Sequence, residues 1–121
     1  MDPGAYRYDA TNHLLEKVAA DKAGLERLLE ENPYEFLGVV SPQVTLNISA
    51  RIGRTAWKYD SIAYKIINQD LGCLYQTFYL VATALGLSPC ALGSVETEQL
   101  GKVMGIDWRE EPFIGAFTLG K

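Results

Sequence analysis

A long apolar stretch in the middle of the chain restricts the possible folds more than any other feature. It begins after Asp60 and Ser61, either of which can cap a helix, and continues to about Leu85, just before Gly86. A glycine at that point is suited to the left-handed conformation that ends many helices. Because the stretch is apolar around most of its circumference, we expect one long helix buried on several sides, either in a core or at a subunit interface. Polar residues within it argue against a membrane span: Asn68, Gln69, Asp70 and Gln76.

Shorter patterns on both sides of this helix predict strands and further helices in no regular alternation. The predicted elements are a hairpin of residues 5–9 and 14–18, a helix that Asp21 caps and Asn32-Pro33 ends, a strand at 43–50, a short strand or turn at 91–94, a helix at 96–104 and a strand at 113–119. Strands and helices mixed in this way, with one dominant helix, indicate an α+β fold. A chain of 121 residues is expected to form one domain.

The composition is that of a soluble globular protein and excludes several classes of function. Hydrophobic residues make up 48% of the chain and charged residues 21%. The formal net charge is -4, and Lys and Arg form no run, so nucleic acid is not an expected partner. The N-terminus has no basic region followed by an apolar run, so we expect no signal peptide. A cytoplasmic protein with reduced thiols is the simplest interpretation.

Few residues are available for a metal site or for a nucleophile paired with a histidine. The chain has one histidine, His13, and two cysteines, Cys73 and Cys90, which form no CxxC motif. We therefore expect no metal site. Cys90 is expected to be a small buried residue rather than a redox group.

Lys58 and Tyr59 stand side by side just before the long helix. A lysine and a phenol can both transfer protons, and burial beside a helix can tune such groups for acid–base work near neutral pH. Adjacent side chains point apart on a strand but can converge in a turn, and we expect this pair in a turn that precedes the helix. The alternative is a surface lysine beside a packing tyrosine.

Five motifs follow one another along the chain: residues 4–9 (GAYRYD), 57–59 (WKY), 70–82 (DLGCLYQTFYLVA), 84–87 (ALGL) and 90–93 (CALG). The last three resemble the central helix and the following loop of the nitroreductase superfamily. The first two are similar to the SagB-type dehydrogenases within it, the flavin oxidases that make thiazole and oxazole rings in ribosomal peptide natural products. The resemblance extends over nearly the whole chain.

This resemblance implies a nitroreductase-like α+β fold with a mixed sheet, and a homodimer in which the long helix packs at the interface and FMN lies between the subunits. It also implies a reaction. A thiazoline or oxazoline ring loses a proton from one carbon and passes a hydride from the neighbouring carbon to FMN, and oxygen then reoxidises the flavin. The implied partners are a peptide substrate and a cyclodehydratase complex.

The resemblance also assigns roles to residues of this chain. Lys58 and Tyr59 correspond to the family's acid–base pair. The loop that backs the flavin ring corresponds to three residues, Ala91, Leu92 and Gly93, and the basic group near the FMN phosphate corresponds to Lys121. Gly93 has no side chain, so the backbone can approach a flat ring, and a backbone N–H there can donate to the reduced flavin. The alternatives are a plain turn glycine at Gly93 and a fraying last residue at Lys121.

The family's usual N-terminal half, with an arginine-rich motif that holds the FMN phosphate, has no counterpart in this chain, because Arg7, Arg51 and Arg54 do not reproduce that motif. We therefore expect residues 1–121 to form a single nitroreductase-like domain that corresponds to the C-terminal half. Flavin chemistry then depends on a second copy or on a partner chain that completes the site. The alternatives are a non-catalytic scaffold or split subunit in a peptide-modifying complex, and a flavin enzyme with another small substrate.

Overall fold

Two sheets and four α-helices make up the part of the chain that the structure, a computed structural model, describes, namely residues 2–30 and 42–121. In chain order the elements are β1 (Tyr6–Asp9), β2 (Leu14–Lys17), α1 (Lys22–Glu30), β3 (Val44–Ser49), α2 (Ile52–Tyr59), a 3₁₀ turn (Asp60–Ile62), α3 (Ala63–Ala84), β4 (Ser88–Leu92), α4 (Thr97–Met104) and β5 (Phe113–Gly120). The predicted α+β class is confirmed.

The first sheet is the predicted hairpin, in which β1 pairs with β2 in antiparallel register. Its turn is organised by the Asp9 carboxylate, which accepts hydrogen bonds from the Thr11 N–H at 2.8 Å and from the Asn12 side-chain amide at 2.6 Å. The hydrogen bond from the Asn12 side chain, followed by that from the Thr11 backbone, holds the pKa of Asp9 below its ordinary value. A short polar residue that bonds to the backbone ahead of it is a common way to fix such a turn.

The second sheet has the strand order β3-β5-β4, and both of its pairings are antiparallel. All strand pairs among the described residues are therefore antiparallel, whereas a mixed sheet was predicted. Phe117 on the central strand pairs with Leu46 on one side and with Ala91 on the other. Because paired residues lie on the same face of a sheet, the alternate apolar positions of β3 share the face of Phe117, as the pattern at 43–50 predicted.

The core forms where α3 crosses this face. Phe117 is fully buried, and its ring centroid lies 5.7 Å from that of Tyr75, 5.2 Å from that of Phe78 and 5.0 Å from that of Tyr79. Gly115 on the same strand leaves room for Tyr75, because a Cβ at this position would overlap the Tyr75 hydroxyl. Three aromatic rings at positions i, i+3 and i+4 of α3 therefore pack around one phenylalanine of the sheet.

The long helix begins later than predicted, at Ala63. The short helix α2 and the 3₁₀ turn occupy the region before it, which was expected to be a turn. Asp60 therefore does not cap α3 with its side chain, and its backbone has a positive φ of 46°. The predicted end is confirmed, since Gly86 has a φ of 69°. No helix in residues 2–30 or 42–121 has the length and hydropathy needed to span a bilayer.

Only one side of α3 packs against the sheet. Ala63 and Ala82 are its buried residues, while Leu74 and Val81 are exposed, as is Leu85 just beyond the helix. The spacing i, i+7 and i+11 places these three side chains in one stripe along the helix. In a single copy, α3 is thus half core helix and half exposed apolar surface.

The remaining helices pack beside the sheet. Gly101 of α4 allows close packing, because a Cβ there would meet the Ile106 carbonyl oxygen at 2.9 Å. The predicted stop at Gly105 is confirmed by its left-handed φ of 66°. Asp21 accepts a hydrogen bond from the Gly24 N–H at 3.2 Å at the start of α1, as predicted, while the predicted end at Asn32-Pro33 lies outside the described residues.

Candidate functional site

The candidate acid–base pair lies in the last turn of α2 rather than in a turn of the chain, which corrects the prediction. Lys58 and Tyr59 are both exposed, and the Lys58 Nζ lies 5.2 Å from the centroid of the Tyr59 ring. The ammonium therefore contacts the face of the ring, as in a cation–π pair. The two side chains are adjacent, as expected, but the described part of one copy does not bury them.

The start of α2 is anchored to the sheet by Glu111. Its carboxylate accepts hydrogen bonds from the Ser49 hydroxyl at 2.7 Å and from the Arg51 Nε at 2.5 Å, and the Ala50 N–H donates to the Pro112 carbonyl at 3.0 Å. Burial raises the pKa of Glu111, but the hydrogen bonds from Arg51 and Ser49 outweigh that effect and hold it below the ordinary value. This network fixes the direction in which α2 leaves the sheet, and hence where Lys58 and Tyr59 lie.

The candidate flavin loop follows directly from β4. Ala91 and Leu92 are the last residues of that strand, and Gly93 comes after them. Gly93 is exposed, and a Cβ built on it would have no atom within 4 Å, so the space beside it is open. No neighbouring atom at the Cβ position would therefore block a flat ring, such as the isoalloxazine of FMN, from approaching this backbone. The Ala91 N–H is not free to bind it, because it donates to the Tyr79 hydroxyl at 2.8 Å.

Two further predicted residues lie on or next to this sheet. Lys121 is exposed and follows Gly120, which pairs with Ser88 at the far end of β4 from Gly93. Cys90 is exposed, not buried as predicted. The reason is the alternation along β4, which directs the neighbouring Ala91 toward the α3 face and leaves Cys90 on the other face of an edge strand.

The candidate site residues are spread along the length of α3 and do not converge in one copy. Lys58 and Tyr59 precede its first residue, Ala63, whereas the loop at Ala91 is level with Tyr79, sixteen residues later. At 1.5 Å per residue this is a separation of about 24 Å along the helix axis. Lys121 lies about 10 Å further on, since β4 rises about 3.4 Å per residue.

Sequence reasoning missed two features of this site. It placed no helix at residues 52–59, and it did not connect Tyr79 with the Ala91 backbone, which the Tyr79 hydroxyl binds. No local pattern pairs position 79 with position 91. In the described ranges, no three His, Cys, Asp or Glu side chains are grouped in a way that would hold a metal ion.

Comparisons with known proteins assign the fold and the family. The model of the nitroreductase family matches residues 2–121. A Methanocaldococcus jannaschii protein named as a nitroreductase is 24% identical over 114 residues, which cover 94% of this chain and 56% of the relative. The chain therefore spans about half the length of that relative.

Solved structures give the same result. A chain of the E. coli microcin synthetase McbBCD complex, with truncated pro-MccB17 bound, superposes with a TM-score of 0.82 at 25% identity, over 96% of this chain and 43% of the other. A protein from Anabaena variabilis that is named as a nitroreductase gives 0.80 at 26% identity, over 98% and 24%. One from Ralstonia eutropha gives 0.75 at 26% identity, over 98% and 53%. With a family match from residue 2 to residue 121 and this shared fold, the chain belongs to the nitroreductase family.

Proposed function

We propose that this chain is part of an FMN-dependent oxidoreductase that oxidises thiazoline or oxazoline rings in a peptide, and that its site is shared between two copies. Members of the nitroreductase family typically bind a flavin. The observation that carries the proposal is the open space beside Gly93, at the loop that the family resemblance assigns to the flavin ring. The structural similarity to a microcin synthetase complex with a peptide bound supports the peptide substrate.

Pairing of two copies accounts for the spread of the candidate residues. Nitroreductases are commonly dimers, and Leu74, Val81 and Leu85 form an apolar stripe along α3 that a second copy would cover. If two α3 helices cross antiparallel at their midpoints, Ala63 of one copy is level with Ala84 of the other. The separation along the helix between one copy's acid–base pair and the other copy's Ala91 then falls from about 24 Å to about 8 Å.

In this arrangement, each group has a defined task. FMN, when bound, would accept the hydride removed from the substrate ring. The Lys58 Nζ would take the proton from the neighbouring ring carbon, and the Tyr59 hydroxyl would orient the ring or pass the proton on. Gly93 would let the backbone lie against the flavin, and Lys121 would neutralise part of the phosphate charge. A second copy packed over the end of α2 would exclude water from the acid–base pair.

Substitution of the acid–base pair tests this proposal. Lys58→Ala and Tyr59→Phe should each lower the rate of azoline oxidation about 10²–10⁴-fold, which is the usual contribution of acid–base catalysis. Both variants should keep wild-type circular dichroism and FMN content. Lys65→Ala, which removes an exposed lysine from the first turn of α3, is the matched control and should retain activity. Wild-type turnover in both test variants would refute the assignment.

Mixed dimers test whether the site is shared. A Lys58→Ala chain and a Gly93→Asp chain, each inactive alone, are mixed after unfolding and refolding together. If the pair acts on the loop of the other copy, each mixed dimer retains one intact site, and an equal mixture should recover about one quarter of wild-type activity. If both groups act within one copy, the mixture should remain inactive.

A non-catalytic scaffold or split subunit is the second candidate, favoured by the wide spacing of the candidate residues in one copy. The visible spectrum separates it from the enzyme. A yellow protein, or one that becomes yellow with added FMN, supports the enzyme. A colourless chain that takes up no FMN, even with the protein partners of its own cell, supports the scaffold. Turnover of a small nitro compound, without any turnover of azoline peptides, would indicate a flavin enzyme with another substrate.

A further inference from the structure

We propose that Tyr79 is a positioning residue for the flavin loop, which it holds in place through the Ala91 backbone. The proposal rests on the proposed function, in which residues 91–93 back the flavin ring. Its basis is the hydrogen bond of 2.8 Å from the Ala91 N–H to the Tyr79 hydroxyl oxygen, which joins the end of β4 to the second-to-last turn of α3. The bond is partly buried, so water competes with it less than at an open edge.

The position of β4 explains why this bond is needed. β4 is an edge strand of the described sheet, with β5 on one side only. In an antiparallel pair, alternate residues direct their N–H groups away from the partner strand, so residues 89 and 91 share the outer edge. Pro89 has no N–H to place there, and the N–H of Ala91 is occupied by Tyr79. Neither residue of this edge can therefore donate to another strand, which protects the edge against unwanted pairing.

The ring of Tyr79 is itself held in place by packing against the core. The Tyr79 ring contacts the fully buried ring of Phe117 edge to face, at 5.0 Å between centroids, and Phe117 is the residue that pairs with Ala91 across the sheet. Three contacts thereby connect α3, β5 and β4 to one another: Tyr79 with Phe117, Phe117 with Ala91, and Ala91 with Tyr79. The backbone that leads into Gly93 is fixed from the side of the helix as well as from the side of β5.

The expected consequence is an effect on flavin affinity. Gly93 follows directly on the last residue of β4, so a displacement of Ala91 and Leu92 would also displace Gly93. If the Ala91 N–H loses its acceptor, the end of β4 is released from α3, and part of the flavin's binding energy is then spent on ordering the loop. The acid–base pair of the same copy lies at the other end of α3, and neither of its residues contacts the hydrogen bond that is removed.

Tyr79→Phe tests the proposal, because it removes only the acceptor oxygen and keeps the ring against Phe117. Tyr64→Phe is the matched control, since Tyr64 is an exposed tyrosine of the same helix. The full chain is titrated with FMN by fluorescence quenching, at a temperature well below unfolding. We expect Tyr79→Phe to bind FMN about five- to tenfold more weakly, as loss of a single hydrogen bond would cause, and Tyr64→Phe to bind like wild type. Activity that Tyr79→Phe loses at low FMN should return as the FMN concentration is raised.

Amide hydrogen exchange provides a readout that does not depend on FMN. The Ala91 N–H should exchange faster in Tyr79→Phe than in wild type, with no change in Tyr64→Phe. Equal FMN affinity of wild type and Tyr79→Phe would overturn the positioning role and leave the proposed function standing. A loss of FMN affinity in Tyr64→Phe as large as that in Tyr79→Phe would overturn the positioning role in the same way. If wild type takes up no FMN, the proposed function is refuted and the positioning role is refuted with it.

Discussion

Replacement of Phe117 by alanine is the most direct test of how the candidate site is supported. Phe117 is the largest fully buried side chain of the described residues, and three aromatic rings of α3 surround it. Loss of a buried phenylalanine ring costs about 3–5 kcal/mol, through lost transfer energy and the cavity that remains. The upper half of this range is expected here, because each ring pair adds about 0.5–1.5 kcal/mol beyond its buried area. A domain of this size has only about 5–15 kcal/mol of stability in total.

The assay is urea unfolding followed by circular dichroism, at a fixed protein concentration because association would shift the midpoint. Phe117→Ala should lower the free energy of unfolding by about 4–5 kcal/mol, and Phe117→Leu, which keeps more of the volume, by much less. Leu15→Ala, an exposed position of the β1–β2 hairpin, is the control and should change the unfolding free energy by less than about 0.5 kcal/mol. The reasoning is refuted if Phe117→Ala is no less stable than Leu15→Ala.

Two further predictions concern stability. Because the pKa of Glu111 is lower in the folded than in the unfolded chain, its contribution is fully present above the ordinary glutamate range and is lost as the pH falls through the folded value. Glu111→Gln should therefore lower the free energy of unfolding by about 1 kcal/mol at pH 7, because it removes the charged partner of Arg51. In acid the same substitution should have little effect. Equal losses of unfolding free energy at both pH values in urea titrations would contradict this. Gly115→Ala should cost about 1–3 kcal/mol, because the new methyl group would overlap the Tyr75 hydroxyl. Gly72→Ala, with open space at its Cβ, should be neutral or stabilising in the same urea titrations, and equal unfolding free energies of the Gly115→Ala and Gly72→Ala variants would contradict the overlap.

The order of elements was largely predictable from local pattern. Gly86 and Gly105 end their helices in the left-handed conformation, as their places after apolar stripes predicted. The alternation in β3 predicted the face that packs toward α3. The helix α2 was missed because its eight residues include a glycine, a β-branched threonine and no side-chain cap, so its propensity is weak, and packing against α3 stabilises it instead.

The residues of the candidate site stay predictions from the sequence, and their geometry was not predictable from it. The adjacency of Lys58 and Tyr59 follows from the sequence, but their exposure and their distance from Ala91 depend on how α2, α3 and β4 are arranged. The same is true of Cys90, whose exposure depends on which face of an edge strand it occupies.

The C-terminal ends of α3 and α4, the hairpin and the apolar face of β3 come from interactions between residues a few positions apart, and short-range pattern was enough to predict them. The hydrogen bond between Tyr79 and Ala91 is of another kind, because it joins residues on opposite sides of a helix–strand reversal. It forms only when α3 lies on the sheet in a register that places three aromatic rings around Phe117. Tertiary packing therefore decided which backbone groups are hydrogen-bonded and which apolar side chains remain exposed, since these depend on contacts between elements and not on the sequence within any one of them.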